Sequence, residues 1–357
     1  MKSDMPGKTP EESGYRMPAE WEKHEGIWLA WPHDPDTFPD RVENVENIYI
    51  KIIKSIHESE KVHLFVKDGP MKVRLTGVFE KNDFNCDRIH FFIFDYADVW
   101  IRDYGPIFLI NEQKDRLAMV RWRFNAWGEK YEELMRDATI PAMINRTMQL
   151  PCFDSKIVLE GGSIDVNGKG TLLTTEQCLL NRNRNPDLKK QEIEDKLREY
   201  LGATHIIWLR NGILGDDTDG HIDDIARFVN PTTIVCAYEE DMSDDNYPFL
   251  KENYELLLEA KDQDKNQLDI IKMPMPGFVG DDQGRLPASY TNFYIGNTVV
   301  LVPIFGHNND HQALDIIKSV FPGRTVVGIP CNDLVYGFGA IHCITQQQPA
   351  QIMGHIY

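Results

Sequence analysis

Cys343 is the residue of this sequence best suited to act as a nucleophile. It follows a turn-forming segment, residues 337–340, that contains two glycines, and it precedes a short β-prone run. Glycines let the backbone turn sharply and approach a ligand closely, so we expect the thiol to be held at the edge of a pocket, at the start of a strand. The alternative is a small buried hydrophobic residue, the usual state of a free cysteine.

A second candidate is Asp103, which lies in residues 98–106 together with Trp100 and Arg102. A carboxylate can accept two parallel hydrogen bonds from a planar cation, and an indole can cover the face of that cation. The alternative for this motif is a surface ion pair between Arg102 and Asp103.

His221 and Asp223 are two positions apart, so both side chains point to the same face if this segment is an extended strand. A histidine beside a carboxylate is suited to general acid and base catalysis. Glu160, before Gly161 and Gly162, is a weaker candidate, since an acid in such a turn is more often solvated than functional.

The sequence gives little support for a metal site. A calcium-binding loop around residues 217–220 is excluded because Gly215 and Ala226 occupy positions that need acidic ligands. His221, His307 and His311 do not form a zinc-binding pattern such as HExxH. The six cysteines form no CxxC pair, which argues against a zinc ribbon and a disulfide framework, and we expect reduced thiols.

The candidate residues together fit one kind of substrate. A thiol, a histidine and several carboxylates that converge on one end of the fold are suited to a guanidinium, whose five N–H donors and permanent charge match paired carboxylates.

The elements that position these residues recur along the chain. We predict roughly five units, each with an amphipathic helix, a short strand, a loop rich in Gly or Asp, and a hairpin; the helices are predicted at residues 40–58, 132–148, 189–201, 248–260 and 310–321. The units form one α/β domain around a centre, and the strand after Cys343 pairs with residues 26–30. A doubly wound parallel sheet is the competing architecture, but frequent hairpins argue against it.

Composition narrows the classes of partner. The 357 residues carry a formal net charge of −18, which argues against a nucleic-acid partner. Residues 1–16 are polar and contain no apolar run for export or membrane insertion, so we expect a flexible N-terminal segment on a cytoplasmic protein with no membrane partner. The sequence leaves a homo-oligomer open.

Several ordered motifs make the chain resemble the agmatine deiminases, with the bacterial peptidylarginine deiminases as close relatives, within the guanidine-modifying (pentein) superfamily. The similar segments span nearly the whole chain: residues 17–21, 28–32, 100–106, 124–128, 159–163, 220–223, 286–290 and 341–347. The resemblance implies a five-bladed α/β propeller with pseudo-fivefold symmetry, in a single catalytic domain over residues 17–357. The family usually has a run such as Gly-Gly-Gly-Asn where this chain has residues 337–340, so Phe338 and Ala340 depart from it.

The resemblance also implies the role of each candidate residue: a nucleophile, Cys343; a general acid and base, His221; two carboxylates that clamp the guanidinium, Asp103 and Asp223; a further active-site acid, Glu160; and a wall of the substrate pocket, Trp100. No metal ion or organic cofactor is implied.

The implied activity is the hydrolysis of agmatine to N-carbamoylputrescine and ammonia, a step of putrescine and polyamine biosynthesis, through a covalent thiouronium on the cysteine. Such an enzyme is a hydrolase of C–N bonds in linear amidines. Two alternatives stay open at this point: deimination of arginine in proteins, and a catalytically silent relative that acts as a binding or regulatory protein.

Overall fold

The computed structural model describes residues 7–114 and 116–351, and its strands form five small sheets of one plan. In each sheet an antiparallel pair is followed by a strand that runs parallel to the second. The strands, sheet by sheet, are Gln346–Pro349, His24–Ala30, Lys61–Val66 and Ile89–Ile93; Ile107–Asn111, Arg116–Arg123 and Cys152–Val158; Asp165–Val166, Thr171–Thr175 and His205–Leu209; Ala226–Asn230, Thr233–Tyr238 and Asp269–Pro274; Tyr294–Ile295, Val299–Ile304 and Thr325–Pro330.

The first sheet joins the two ends of the described chain. Gln346–Pro349 pairs antiparallel with His24–Ala30, with Trp28 opposite Gln346. The predicted pairing of the strand after Cys343 with residues 26–30 is therefore confirmed. This sheet has one strand more than the others, and a separate two-stranded hairpin joins Gly280–Asp281 to Gly284–Arg285.

Helices connect and cover the sheets. The α-helices are Val42–Ile56, Gly69–Lys81, Ile101–Tyr104, Ala126–Glu129, Ile140–Met148, Glu176–Leu179, Lys190–Leu201, Tyr247–Glu259, Asp310–Val320 and Asn332–Val335. The 3₁₀ turns are Glu11–Ser13, Cys86–Arg88, Glu112–Lys114, Glu132–Thr139, Gly161–Ser163 and Ile222–Asp224. Val42–Ile56 is amphipathic as its 3- and 4-residue spacing predicts, and it buries six apolar side chains, each worth about 1.5–3 kcal/mol.

One helical prediction needs correction, and one helix was missed. Residues 132–148 form a 3₁₀ turn followed by the α-helix Ile140–Met148, because Pro141 favours the first turn of a new helix over the interior of a long one. Gly69–Lys81 was not predicted; its start is marked by Asp68, whose carboxylate accepts a hydrogen bond from the backbone N–H of Met71.

A short irregular segment precedes the first strand of each sheet, and the predicted site residues lie in these segments. His221 and Asp223 were predicted on an extended strand, but Ile222–Asp224 is a 3₁₀ turn and the strand begins only at Ala226. Cys343 likewise lies in a turn, three residues before its strand.

The apolar residues pack into three clusters beneath these segments, and the fold is mixed α/β. Within the described residues the sheets stay separate, so neither a continuous doubly wound sheet nor one closed sheet is present. No helix among these residues is long and apolar enough to cross a membrane. The predicted boundary at residue 16 stays a prediction: residues 1–6 lie outside the described part, while Tyr15 is buried and Arg16 pairs with Ile110.

Candidate active site

Cys343 lies in a tight turn and is 7% exposed. The backbone N–H of Arg102 donates to the carbonyl of Cys343 at 3.1 Å, which ties the turn to the segment that precedes the second sheet. The amide nitrogen of Asn292 lies 3.2 Å from the Cys343 sulfur. The thiol is therefore positioned from both neighbouring segments.

Glycines beside the thiol are required by the ring of Trp100. A Cβ at Gly339 would lie 2.4 Å from that ring and 3.1 Å from the Cβ of Cys343, and a Cβ at Gly337 would lie 2.6 Å from the ring of Phe38. Phe338, between them, has a φ of +69° and is 43% exposed. Where the family has a glycine-rich run, this chain thus places the phenyl ring of Phe338 beside Cys343. The backbone of Phe338 adopts the left-handed conformation.

Asp103 is buried and held by two donors. The indole N–H of Trp127 donates to Oδ2, and the backbone N–H of Gly162 donates to Oδ1, each at 2.9 Å. Arg102 is also buried and donates to Gln347 at 2.7 Å, so the alternative of a surface Arg102–Asp103 ion pair is wrong. Burial raises the pKa of Asp103, because the ionised carboxylate loses water.

His221 faces Asp103 across the backbone of Gly162. Its Nδ1 lies 3.8 Å from Asp103 Oδ1, and a Cβ on Gly162 would lie 2.6 Å from that nitrogen and 3.0 Å from Oδ2 of Asp223. Burial opposes protonation of His221, but Asp103, Cys178 and Asp223 together outweigh it and raise the pKa of the imidazole well above its usual value. A protonated His221 is suited to donate a proton to a leaving group.

Asp223 belongs to a buried chain of charges. Its Oδ2 lies 2.6 Å from Nδ1 of His342, whose Nε2 lies 2.8 Å from Glu20. Glu20 in turn accepts a hydrogen bond of 2.6 Å from Arg227. Despite the cost of burial, the His342 hydrogen bond lowers the pKa of Asp223, which therefore stays ionised.

Glu160 is fully buried, so the expectation of a solvated acid is wrong. Its Oε1 accepts a hydrogen bond from Nε of Arg184 at 2.6 Å, while Oε2 has no hydrogen-bond partner among the described residues. A carboxylate oxygen of Glu160, a ring nitrogen of His221 and the sulfur of Cys178 all lie within 4.8 Å of one another, an arrangement able to hold a metal ion.

Nearby carboxylates affect the ionisation of the Cys343 thiol. Burial raises the pKa of the Cys343 thiol well above its usual value, and Asp223, Asp224 and Asp103 raise it further. Before a cation binds, the sulfur is therefore a thiol at neutral pH. A bound cation among these carboxylates favours the thiolate, so ionisation is coupled to substrate binding.

A cavity of about 270 Å³ opens beside Cys343 and Asp103. Among the described residues, six carboxylates and no Lys or Arg line it: Asp34, Asp36, Asp98, Asp103, Glu133 and Asp217. Trp100, Trp127 and Phe338 supply apolar walls. Burial raises the pKa of both Asp98 and Asp217 to about 6. A larger cleft of about 750 Å³ is lined partly by arginines and contains none of the predicted site residues.

The structure thus brings together all six predicted residues and adds others that pattern reasoning missed. These are the residues that hold the acids and the thiol in place: Glu20, Trp127, Arg184, Asn292 and His342. Glu20, Trp127 and His342 lie within the motifs of the sequence resemblance, which is the signal that could have found them. Arg184 and Asn292 lie outside those motifs.

Comparison with known proteins gives consistent results. Residues 16–349 match the family described as Porphyromonas-type peptidyl-arginine deiminase. A protein of Legionella pneumophila (strain Paris), named "Putative agmatine deiminase", is 39% identical over 342 residues, which cover 95% of this chain and 97% of that one.

Solved structures of similar proteins share the fold over nearly the full length. Agmatine deiminase of Enterococcus faecalis is 33% identical, with a TM-score of 0.90 over 98% of this chain and 100% of that one. A substrate-bound C. jejuni agmatine deiminase variant is 32% identical, with a TM-score of 0.83 over 94% of this chain and 96% of that one.

Proposed function

The chain belongs to the Porphyromonas-type peptidyl-arginine deiminase family, and we propose that it is an agmatine deiminase that converts agmatine to N-carbamoylputrescine and ammonia. It is a hydrolase of C–N bonds in linear amidines. The product is a precursor of putrescine, which places the reaction in polyamine biosynthesis.

The acidic cavity is the observation that carries this proposal. Agmatine has a guanidinium at one end and an ammonium at the other, and the described lining residues offer carboxylates without a single cationic side chain. Asp103 lies beside Cys343, where a guanidinium would be held, and Asp217 is available to an ammonium. Free arginine is disfavoured because its α-carboxylate would meet only like charges.

The first half of the reaction forms a covalent adduct on Cys343. Asp103 and Asp223 hold the guanidinium near the sulfur and polarise it, so its carbon becomes the electrophile. The thiolate attacks that carbon, and the imidazolium of His221 donates a proton to one terminal nitrogen. Ammonia leaves, and an S-alkylthiouronium remains on Cys343.

The second half releases the product with the same residues. His221, now neutral, removes a proton from water, which attacks the thiouronium carbon. The carbon–sulfur bond breaks, the thiolate of Cys343 is regenerated, the proton of the new hydroxyl group passes to water, and N-carbamoylputrescine leaves. Glu160, between His221 and Arg184, supports the imidazolium electrostatically.

We further infer that the five sheets are blades of one α/β propeller, in a catalytic domain over residues 17–357. Hydrogen bonds between neighbouring blades support this arrangement and continue around all five: Arg102 to Cys343, Gly162 to Asp103, Phe228 to Asp165, Thr291 to Asp223 and His342 to Asn292. Each blade contributes a segment to the centre, so Cys343, Asp103 and Glu160 come from three different blades, while His221 and Asp223 share a fourth.

A second candidate function is deimination of arginine in peptides, which the family description favours. The guanidinium chemistry would be the same, and the difference would lie at the mouth of the cavity, where Phe338 is exposed. The enclosed acidic lining favours a short, doubly cationic substrate over a peptide.

Ammonia release from agmatine, free arginine and an arginine peptide tests the function. We expect agmatine to be the preferred substrate, with no ammonia above background from Cys343→Ala. The matched control is Cys236→Ala, which removes a buried thiol in the fourth sheet. Wild-type ammonia release by Cys343→Ala would overturn the mechanism, while a preference for the peptide would select the second candidate.

A further inference from the structure

A buried three-residue cluster includes the proposed catalytic base. It consists of Glu160, Cys178 and His221, and we call it the Glu–Cys–His cluster. A carboxylate oxygen of Glu160, the sulfur of Cys178 and a ring nitrogen of His221 lie within 4.8 Å of one another. Cys178 belongs to the short helix Glu176–Leu179, after the second strand of the third sheet. The proposed reaction assigns no role to this thiol.

One carboxylate oxygen of the cluster is buried without a partner. Glu160 is fully buried and its Oε2 makes no hydrogen bond among the described residues, while His221, 1% exposed, interacts with the Cys178 thiol. Such a buried, unpaired polar atom is costly and calls for an explanation, such as an ion that binds there.

The chemistry of the three donors selects the ion. Thiolate, imidazole and carboxylate together are typical ligands of Zn²⁺, at distances of about 2.0–2.3 Å. Those bond lengths place the ligand atoms of a tetrahedral site about 3.3–3.8 Å apart. The cluster therefore needs only side-chain shifts of about 1 Å to close around the ion.

The charge balance is also suitable. Arg184 donates to Oε1 of Glu160 and so holds the carboxylate in place while it leaves Oε2 free. A divalent cation displaces the thiol proton and any proton on Nε2, because metal ligands bind in their deprotonated forms.

We propose that the Glu–Cys–His cluster is an inhibitory Zn²⁺ site, distinct from the substrate cavity and independent of Cys343. Zinc on Nε2 occupies the imidazole lone pair and adds positive charge, so His221 no longer takes up a proton. The inhibition rests on the proposed function of His221, whereas zinc binding does not.

Calorimetric titration of Cys343→Ala with Zn²⁺ alone tests binding without turnover. We expect one site in this variant, and at least tenfold weaker binding once Cys178→Ala is added. Adding Cys236→Ala instead is the matched control, since that thiol is equally buried but lies on the strand Thr233–Tyr238, outside the three-residue cluster. Equal zinc affinity with and without Cys178→Ala, or no zinc binding by Cys343→Ala, overturns the proposal.

Ammonia release with and without Zn²⁺ then tests the inhibition, each variant being compared with its own zinc-free rate. The wild type should lose most of its activity and regain it on addition of a chelator, while Cys178→Ala should resist zinc at least tenfold. If Cys178→Ala does not fold, as judged by circular dichroism, Cys178→Ser and Glu160→Gln are titrated in its place. Zinc inhibition of the same strength in the Cys178 variant would overturn the proposal, even if agmatine hydrolysis itself is confirmed.

Discussion

One carboxylate oxygen of Asp223 lies 2.6 Å from His342, while the other is buried and unpaired within the described residues. The first contact fixes the orientation of the carboxylate. The second oxygen is then free to accept a hydrogen bond from substrate. His342 thus prepares Asp223 for binding without contacting substrate itself.

Replacing His342 should therefore weaken substrate binding. In His342→Ala the carboxylate loses its buried partner, a loss that typically costs several kcal/mol. We expect KM for agmatine to rise tenfold or more, with a smaller change in kcat, in steady-state measurements. His311→Ala, in the exposed first turn of Asp310–Val320, is the control. A KM equal to that of the wild type would show that His342 does not position Asp223.

Neutralising Asp103 should make Cys343 more reactive even as it abolishes turnover. Asp103 is one of the carboxylates that raise the pKa of the thiol, so Asp103→Asn should lower that pKa and increase the thiolate fraction at neutral pH. Each unit by which the pKa falls would give about tenfold more thiolate. Alkylation of the Cys343 peptide by iodoacetamide, followed by mass spectrometry, should become several-fold faster.

Asp315→Asn, on the exposed face of a helix, should leave this rate unchanged. Slower alkylation in Asp103→Asn would mean that the Asp103 carboxylate lowers the pKa of the thiol instead of raising it.

Agmatine binding should weaken in acid. The pKa of Asp217 is about 6, so its carboxylate is ionised above that pH and neutral below it. Agmatine stays doubly cationic throughout, and KM should rise as the pH falls through about 6. Asp217→Asn should raise KM at neutral pH by roughly tenfold and reduce the ratio of KM between pH about 5 and about 7.

Burial also raises the pKa of Asp98 to about 6, so Asp98 accounts for any dependence of KM on pH that remains in Asp217→Asn. If the ratio of KM at the lower pH to KM at the higher pH is as large in Asp217→Asn as in the wild type, Asp217 does not bind substrate.

The Glu160–Arg184 pair should contribute strongly to folding. Arg184→Ala leaves a fully buried carboxylate without its cation, and we expect a loss of about 3–5 kcal/mol in the free energy of unfolding. Lys318→Ala, which breaks an exposed pair with Asp315, should change it by less than about 1 kcal/mol. Urea unfolding measures the free energy of unfolding of both variants. Equal losses would contradict the distinction between the buried and the exposed ion pair.

Phe338 should restrict access to the cavity. Phe338→Gly removes the phenyl ring at the mouth and places glycine where φ is +69°, a conformation that costs other residues about 1–2 kcal/mol. We expect the ratio of kcat/KM for an arginine peptide to that for agmatine to increase, with no loss of thermal stability. Phe278→Gly, at another exposed phenylalanine, is the control. An unchanged ratio would remove Phe338 from substrate selection.

Local patterns predicted much of the fold. Asn167-Gly168, a pair that favours a hairpin turn, lies between the first two strands of the third sheet, and Gly202, with a φ of 74°, ends Lys190–Leu201 as glycine commonly does. The same patterns misjudged His221 and Asp223. Alternation placed them on one face of a strand, whereas a 3₁₀ turn brings them together around Gly162.

The residues that support the site were harder to predict for a physical reason. Glu20 meets His342 across more than three hundred residues of chain, and Arg184 meets Glu160 only because both are buried between the third and fourth sheets. Such contacts arise from the packing of whole units, so no local spacing reveals them. The substrate-facing residues, by contrast, lie in short motifs whose residue types carry their own chemistry.

The pairing of Gln346–Pro349 with His24–Ala30 has a consequence for how the enzyme matures. The sheet that anchors Cys343 joins the earliest and latest strands of the described chain, so it cannot assemble before Gln346–Pro349 has been synthesised. Contacts of such large sequence separation also form slowly. During refolding from denaturant, helical circular dichroism should therefore return before ammonia release does.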